Sequence, residues 1–206
     1  AEQIKKSKVS QINVVTGYEA DQVTSALKHL ISNFIHNPNH TKGLSTSVKI
    51  GLNAVPDGID GVIIFLGDMP LVKTRDINSI IEAFNPTEGR SICVPIHGRK
   101  RGNPVLWGKQ YITEILSISG DIGARHLLET HSDQISEVTI DTDGVTAGSK
   151  IVTNDFVFDD GQRNNYYDIS RLERKKDRNA PKGRMLVIYD YLSHGAGSFF
   201  SVDSYS

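Results

Sequence analysis

The chain has 206 residues, enough for one ordinary domain or for one domain with an appendage. Its 23 basic and 24 acidic residues nearly cancel, so charge does not predict a nucleic-acid partner. Cys93, the one cysteine, lies in an apolar run, which excludes a disulfide within the chain and favours a buried, inert thiol. No apolar segment has transmembrane length and residues 1–8 show no signal-peptide pattern, so the sequence predicts a soluble, cytoplasmic protein that does not contact a membrane.

Strand-like and helix-like segments alternate over the first 140 residues. The predicted strands are apolar or β-branched runs at 12–15, 34–35, 62–66, 92–96, 104–107 and 135–140. The predicted helices, in which apolar residues recur every three or four positions, are 19–31, 43–55, 74–84, 109–116 and 121–130. This alternation predicts an α/β fold with a Rossmann-like, mostly parallel sheet that has helices on both faces.

The composition changes after about residue 146. Nine of the 15 aromatic residues fall in the last sixty positions, helical periodicity disappears, and short β-prone pieces remain at 151–152, 156–158 and 185–191. We therefore predict two parts: an α/β domain over residues 1–146, and a β-rich or partly ordered C-terminal segment over residues 147–206.

Asp68 is the first candidate functional residue. It follows the apolar run 62–66 after one glycine, so it is predicted to lie at the carboxyl end of a central strand, where open α/β sheets bind ligands. A single carboxylate there suits Mg²⁺, which takes one or two protein carboxylates and completes its shell with water and phosphate oxygens. The alternative is that Asp68 only caps the helix that follows.

A second candidate site is the predicted helix start at Gly43, Leu44, Ser45, Thr46 and Ser47. Free backbone N–H groups and three hydroxyls at a helix N-terminus attract phosphate or sugar oxygens. Ordinary capping by Ser45 or Thr46 is the alternative.

Two later segments are candidates for substrate binding. The turn that contains Arg101 and Asn103 concentrates three cations, which could grip an anionic substrate or form a solvated hairpin. Asp121 and Arg125 lie four residues apart at a predicted helix start, where they could line a pocket or simply pair with each other.

In this order, these segments resemble the molybdenum cofactor cytidylyltransferases among the MobA-like nucleotidyltransferases. The matching segments are 14–17, 37–38 with 43–47, 66–70, 101–106 and 120–125, within residues 9–146. The resemblance implies a nucleotide-diphospho-sugar-transferase-like fold and transfer of CMP from CTP to molybdopterin. It also implies Mg²⁺ on Asp68, nucleotide contacts from Gly43, Ser45, Thr46 and Ser47, and substrate contacts from Arg101, Asn103, Asp121 and Arg125.

The sequence departs from this family at three places. The family begins with a strand and a Gly-rich loop that carries an Arg and a Lys, and residues 1–10 show no such loop. Its Asp-Ile-Asp-Thr-like segment is absent after Thr146, and Asn103 stands where a His is usual. Residues 1–146 are therefore interpreted as a truncated family domain, and the chain by itself is expected to be inactive unless another chain or self-association complements it.

The C-terminal segment has its own resemblance. Residues 156–168, 183–191 and 200–205 are similar to segments of bacteriophage virion proteins. The alternative function is therefore a non-enzymatic virion or assembly module, or a chimeric fragment, in which the α/β part is a scaffold.

Overall fold

The computed structural model describes residues 1–118, 123–146 and 185–190, and for 123–125 and 185–190 it describes the backbone. The strands are β1 (Gln11–Thr16), β2 (Asn33–His36), β3 (Gly61–Leu66), β4 (Ile92–His97), β5 (Lys100–Arg101), β6 (Val105–Gly108), β7 (Ile135–Thr139) and β8 (Met185–Asp190). The α-helices are α1 (Glu2–Lys5), α2 (Ala20–Leu27), α3 (Leu44–Asn53), α4 (Thr74–Ala83), α5 (Ile112–Ser117) and α6 (Gly123–Thr130).

All eight described strands belong to one sheet. Its order is β2-β1-β8-β3-β6-β4-β5, and β7 pairs with β4. β1, β2, β3 and β8 are parallel to one another, as are β4 and β7, whereas β6 runs antiparallel to both β3 and β4. The predicted α/β class and the mostly parallel sheet are confirmed.

β8 lies in the middle of this sheet. Its residues pair in parallel with β1 over Gln11–Val15 and with β3 over all of Gly61–Leu66. β1 and β3 have no pairing with each other in the described structure, so β8 joins the two halves of the sheet. The strand predicted at 185–191 is therefore confirmed, and it belongs to the same sheet as residues 1–146. The division near residue 146 stays a prediction, and the β-prone pieces at 151–152 and 156–158 lie outside the described residues.

The strand residues of β3 alternate between two apolar layers. Ile63 and Phe65 pack in a cluster that includes Ile77 and Ile80 of α4, whereas Val62 packs in a cluster that includes Leu52 of α3 and residues of α5 and α6. Successive side chains of a strand point to opposite faces, so helices cover both faces of the sheet.

α1 precedes the first predicted strand and corresponds to none of the helices that the sequence predicts. Its Ile4 is 1% exposed and packs in the cluster of α4. Gln3 Oε1 accepts the backbone N–H of Thr74 at 3.0 Å, which satisfies a free donor at the start of α4. A four-residue helix forms here because α4 supports it, since so short a helix is not stable by itself.

Two further predictions have simple outcomes. The helix predicted over 19–31 ends at Leu27, because the chain makes a tight turn in which Leu30 and Ile31 donate to the carbonyl of Leu27 before β2 begins. Cys93 is fully buried in β4, and burial raises the pKa of its thiol to about 12, opposed in part by the nearby charge of Arg90.

The described part of the chain contains no helix with the length and apolar character needed to cross a membrane.

Candidate functional site

The candidate site lies where the parallel strands of the sheet end. Val15 and Leu66 both pair with Asp190, so these two residues lie at the same height on either side of β8. Since neighbouring strands lie about 4.8 Å apart, the backbones of Val15 and Leu66 are separated by about 10 Å. Gly17 and Asp68 each follow two residues later, beyond the paired strands. The residues that follow β1 and β3 therefore lie at the same end of the sheet, where the parallel strands have their carboxyl ends.

Asp68 follows β3 in a turn and is partly buried. It does not cap α4, which begins six residues later at Thr74 with Lys73 as its N-cap residue. Asp76 of α4 performs that task, because its Oδ2 accepts the backbone N–H of Lys73 at 2.9 Å. The capping alternative for Asp68 is therefore wrong, and its carboxylate stands at the sheet edge rather than at a helix end.

Asn37 organises the loop between β2 and α3. It is 0% exposed, and its backbone N–H donates to the carbonyl of Thr16 at the end of β1, at 2.7 Å. Its side-chain Nδ2 donates to Thr46 Oγ1 and Ser47 Oγ, both at 2.9 Å, and its Oδ1 accepts the N–H of Asn39 at 2.9 Å. One side chain thus fixes the start of α3 relative to the end of β1.

The three predicted hydroxyls at the start of α3 have different surroundings. Thr46 Oγ1 lies 2.8 Å from the carbonyl of Gly43 and 3.1 Å from that of Asn39, and with Ser47 Oγ it accepts from Asn37. Ser45 is partly exposed, and its hydroxyl has no hydrogen bond to any described residue. Thr46 and Ser47 therefore hold the loop in shape, whereas Ser45 is available to a ligand.

The N-cap residue of α3 is Gly43, with φ 105° and no side-chain cap. Capping by Ser45 or Thr46 is therefore not found. Among the described residues, no acceptor meets the backbone N–H groups of Leu44 and Ser45. These two donors, together with the positive end of the helix dipole, form an arrangement that favours an anion.

The turn that contains Arg101 and Asn103 packs against the segment after β7. Arg101 Nε donates to Glu137 Oε1 of β7 at 2.8 Å, in a pair whose side chains are both at least 40% exposed. The N–H of Asn103 donates to the carbonyl of Val145 at 2.8 Å, and a Cβ at Gly102 would lie 2.0 Å from the same oxygen. Arg101 thus has a protein partner, and Asn103 is 9% exposed.

Residues 141–146, which the predicted site does not include, contact the loop that follows Asp68. Gly144 packs against Leu71, since a Cβ there would lie 2.9 Å from the carbonyl carbon of Leu71. Val145 contacts the turn at Gly102. The segment thus joins the loop after β3 to the turn after β5. Gly102 and Gly144 were the signals available in the sequence, because glycine permits such close backbone approach.

Asp121 lies outside the described residues, and Arg125 is described only as a backbone position in α6. The predicted pair and its contact with a substrate therefore stay predictions.

Comparison with protein-family models identifies one domain. The model described as "MobA-like NTP transferase domain" matches residues 1–135, about two thirds of the chain. The chain belongs to the MobA-like NTP transferase family. The matched range contains Asp68, Asn37, the start of α3 and the turn at Arg101, and it ends before β8 begins.

Individual proteins are similar to this MobA-like NTP transferase chain. The molybdenum cofactor cytidylyltransferase of Escherichia coli (strain K12) is 28% identical over 108 residues, which cover 52% of this chain and 53% of that protein. The chain therefore spans about half the length of the curated relative that it matches.

Solved structures share the fold. A nucleotidyl transferase from Methanothermobacter thermautotroptrophicus superposes with a TM-score of 0.60 at 20% identity, covering 72% of this chain and 71% of that one. A protein of Mycobacterium tuberculosis H37Rv, solved as a complex with manganese, has a TM-score of 0.56 at 20% identity, covering 68% and 74% of the two chains.

Proposed function

We propose that this chain is a Mg²⁺-dependent nucleotidyltransferase that transfers CMP from CTP to molybdopterin. Asp68 follows the carboxyl end of β3, at the same end of the sheet as the loops after the parallel strands β1 and β2, and this is the observation that carries the proposal. The similarity to a cytidylyltransferase of Escherichia coli supports CTP and molybdopterin as the substrates.

The donor set fits a magnesium ion that is held largely by its substrate. No group of three or more His, Cys, Asp or Glu side chains within the described ranges could hold a metal ion by themselves. Mg²⁺ does not need such a group, because it keeps several waters and binds through one or two carboxylates and substrate phosphates. Asp68 would hold the ion, and a bound Mg²⁺ neutralises charge on the phosphate oxygens.

The residues of the chain then act by binding and orienting. The N–H groups of Leu44 and Ser45, with the Ser45 hydroxyl, would bind oxygens of the nucleotide phosphates or ribose, and Asn37 would keep them in place through Thr46 and Ser47. A terminal phosphate oxygen of molybdopterin bonds to the α-phosphorus of CTP, the bond from that phosphorus to the bridging oxygen breaks, and pyrophosphate leaves. Positioning and charge neutralisation supply most of this catalysis.

The acceptor would bind on the side of the site formed by β5 and the turn that follows it. Arg101, Asn103, Asp121 and Arg125 are the residues we assign to it. Arg101 can contribute while it remains next to Glu137, since guanidinium has five donors and Glu137 accepts from Nε.

Thermal unfolding of the full chain with CTP, GTP or ATP, each with and without Mg²⁺, tests the proposal. A ligand that binds only the native state raises the midpoint by mass action. We expect CTP with Mg²⁺ to raise the midpoint most, and Asp68→Asn to abolish the part of the increase that depends on Mg²⁺.

Asp57→Asn is the matched control, because Asp57 is exposed in the turn that precedes β3, at the opposite end of this strand from Asp68. It should leave the effect of CTP unchanged. A chain that unfolds cooperatively but shows no shift with any nucleotide would contradict the proposal, as would an Asp68→Asn variant that responds like the unchanged protein.

A further inference from the structure

Tyr18 is exposed at the same edge of the sheet as Asp68. Among residues whose exposure is described, the exposed large hydrophobic side chains are Tyr18, at 49%, and Leu71, at 40%. Both follow strands that end at this edge, β1 and β3. Single exposed apolar residues are common on protein surfaces. Tyr18, however, follows β1 directly at the end of the sheet where the proposed function places the nucleotide.

The backbone on both sides of Tyr18 is tightly fixed. Gly17 is buried and lies in close contact with the side chain of His40, since a Cβ on Gly17 would lie 2.5 Å from His40 Cβ. Glu19 has φ 53° and ψ 34°, and among the described residues other than glycine it alone has a positive φ. Its carbonyl accepts from Gln22 and Val23 at the start of α2. An aromatic ring is therefore held outward by a rigid and locally strained loop, a combination that is frequent at binding sites.

The position of Tyr18 matches the dimensions of a nucleotide. Tyr18 lies three residues after Val15 and Asp68 lies two residues after Leu66, and the backbones of Val15 and Leu66 are about 10 Å apart across β8. α3 packs against β1 and β8, and the loop before it is tied to Thr16 at the end of β1 through Asn37. A nucleoside triphosphate can span this distance with its ring at Tyr18 and its phosphates at α3 and Asp68.

We infer that Tyr18 stacks on a planar nitrogen heterocycle of the substrate, with the nucleobase of the nucleotide as the ring that the geometry favours. This rests on the proposed function, and it adds a residue that binds the ring rather than the phosphates. Stacking on an aromatic side chain requires only the π-face of the ligand, so Tyr18 provides affinity without selecting one base. The pterin of the acceptor is the other planar ring that could supply the same contact.

Isothermal titration calorimetry of the full chain separates ring binding from phosphate binding. The probes are CTP and tripolyphosphate, each with Mg²⁺, and free pterin. Tyr18→Ala should weaken CTP at least about fivefold, the lower end of the measured value of one base–aromatic contact. It should leave tripolyphosphate unchanged, and Tyr18→Phe should bind CTP as the unchanged protein does. Leu71→Ala is the control for lost apolar surface at the same edge, and it should change neither ligand.

The other outcomes are distinct. If Tyr18→Ala weakens pterin but not CTP, the stacked ring belongs to the acceptor, and the contact with a planar heterocycle stands. If Tyr18→Ala binds CTP and pterin as before, or loses tripolyphosphate together with CTP, the inference is wrong while the proposed function remains. If the unchanged protein binds neither CTP nor tripolyphosphate, the proposed function fails and this inference with it.

Discussion

Asn37 shows how a single buried amide sets the geometry of a loop. Its N–H, Oδ1 and Nδ2 together bond to Thr16, Asn39, Thr46 and Ser47, so it links the end of β1 to the first turn of α3. Buried amides are costly unless such bonds are made. The free N–H groups at the start of α3 keep their direction because this one side chain holds the loop that precedes them.

Replacing Asn37 with Ala should therefore destabilise the protein strongly. The hydroxyls of Thr46 and Ser47 each lose a donor and the N–H of Asn39 loses its acceptor, and we expect the free energy of unfolding to fall by about 2–4 kcal/mol. Urea denaturation measures the change. Asn33→Ala, at an exposed position at the start of β2, should change it by less than about 0.5 kcal/mol. Equal effects at the two positions would show that the buried network is not what stabilises this loop.

At the scale of the elements, two side chains stabilise the start of α4, one from the helix itself and one from α1. Asp76 is 3% exposed and its Oδ2 accepts the N–H of Lys73, while Gln3 of α1 accepts the N–H of Thr74. Two of the free donors of the first turn are thus satisfied. Since α4 follows the loop of Asp68, the start of α4 also fixes where that loop ends.

Asp76→Ala should lower the free energy of unfolding by about 1–2 kcal/mol, because a buried capping bond and a favourable charge near the helix N-terminus are both lost. Asp21→Ala is the control: Asp21 lies in the first turn of α2 but is exposed. It should cost about 0.3–1 kcal/mol through the helix dipole alone. Chemical denaturation of the two variants compares them, and a smaller loss for Asp76→Ala than for Asp21→Ala would refute the capping role.

The elements also show what the sequence could predict. β1, β3, β4 and α4 were predicted to within about two residues, because each is an apolar run or a periodic pattern bounded by Gly, Pro or polar residues. α1 was missed, since its four residues have no periodicity and form a helix only against α4. The role of Asn37 was missed for a related reason: its partners lie on β1 and α3, and hydrogen bonds between separate segments leave no local pattern.

At the scale of the whole molecule, the position of β8 is the feature that the chain order conceals. A strand 119 residues after β3 along the chain lies directly beside it and separates it from β1. Sequence patterns predicted a strand at 185–191 but could not give its neighbours, because parallel pairing is set by contacts between distant segments. The edge that holds Asp68 and Tyr18 has its spacing only because β8 lies between their strands.

β8 should therefore be as resistant to opening as the strands on either side. In hydrogen exchange, we expect the amides of β8 to exchange as slowly as those of β1 and β3, since a central strand opens only when the sheet does. The amides of β2, the outermost strand on one side, should exchange faster. Ile188→Pro removes one backbone N–H at a position paired with Asn13 and Ile64, and it should accelerate exchange in both neighbouring strands. Ile188→Val keeps that N–H and should leave their protection intact. Rapid exchange of β8 in the unchanged protein, or a proline whose effect is confined to β8, would mean that the two halves of the sheet do not depend on this strand.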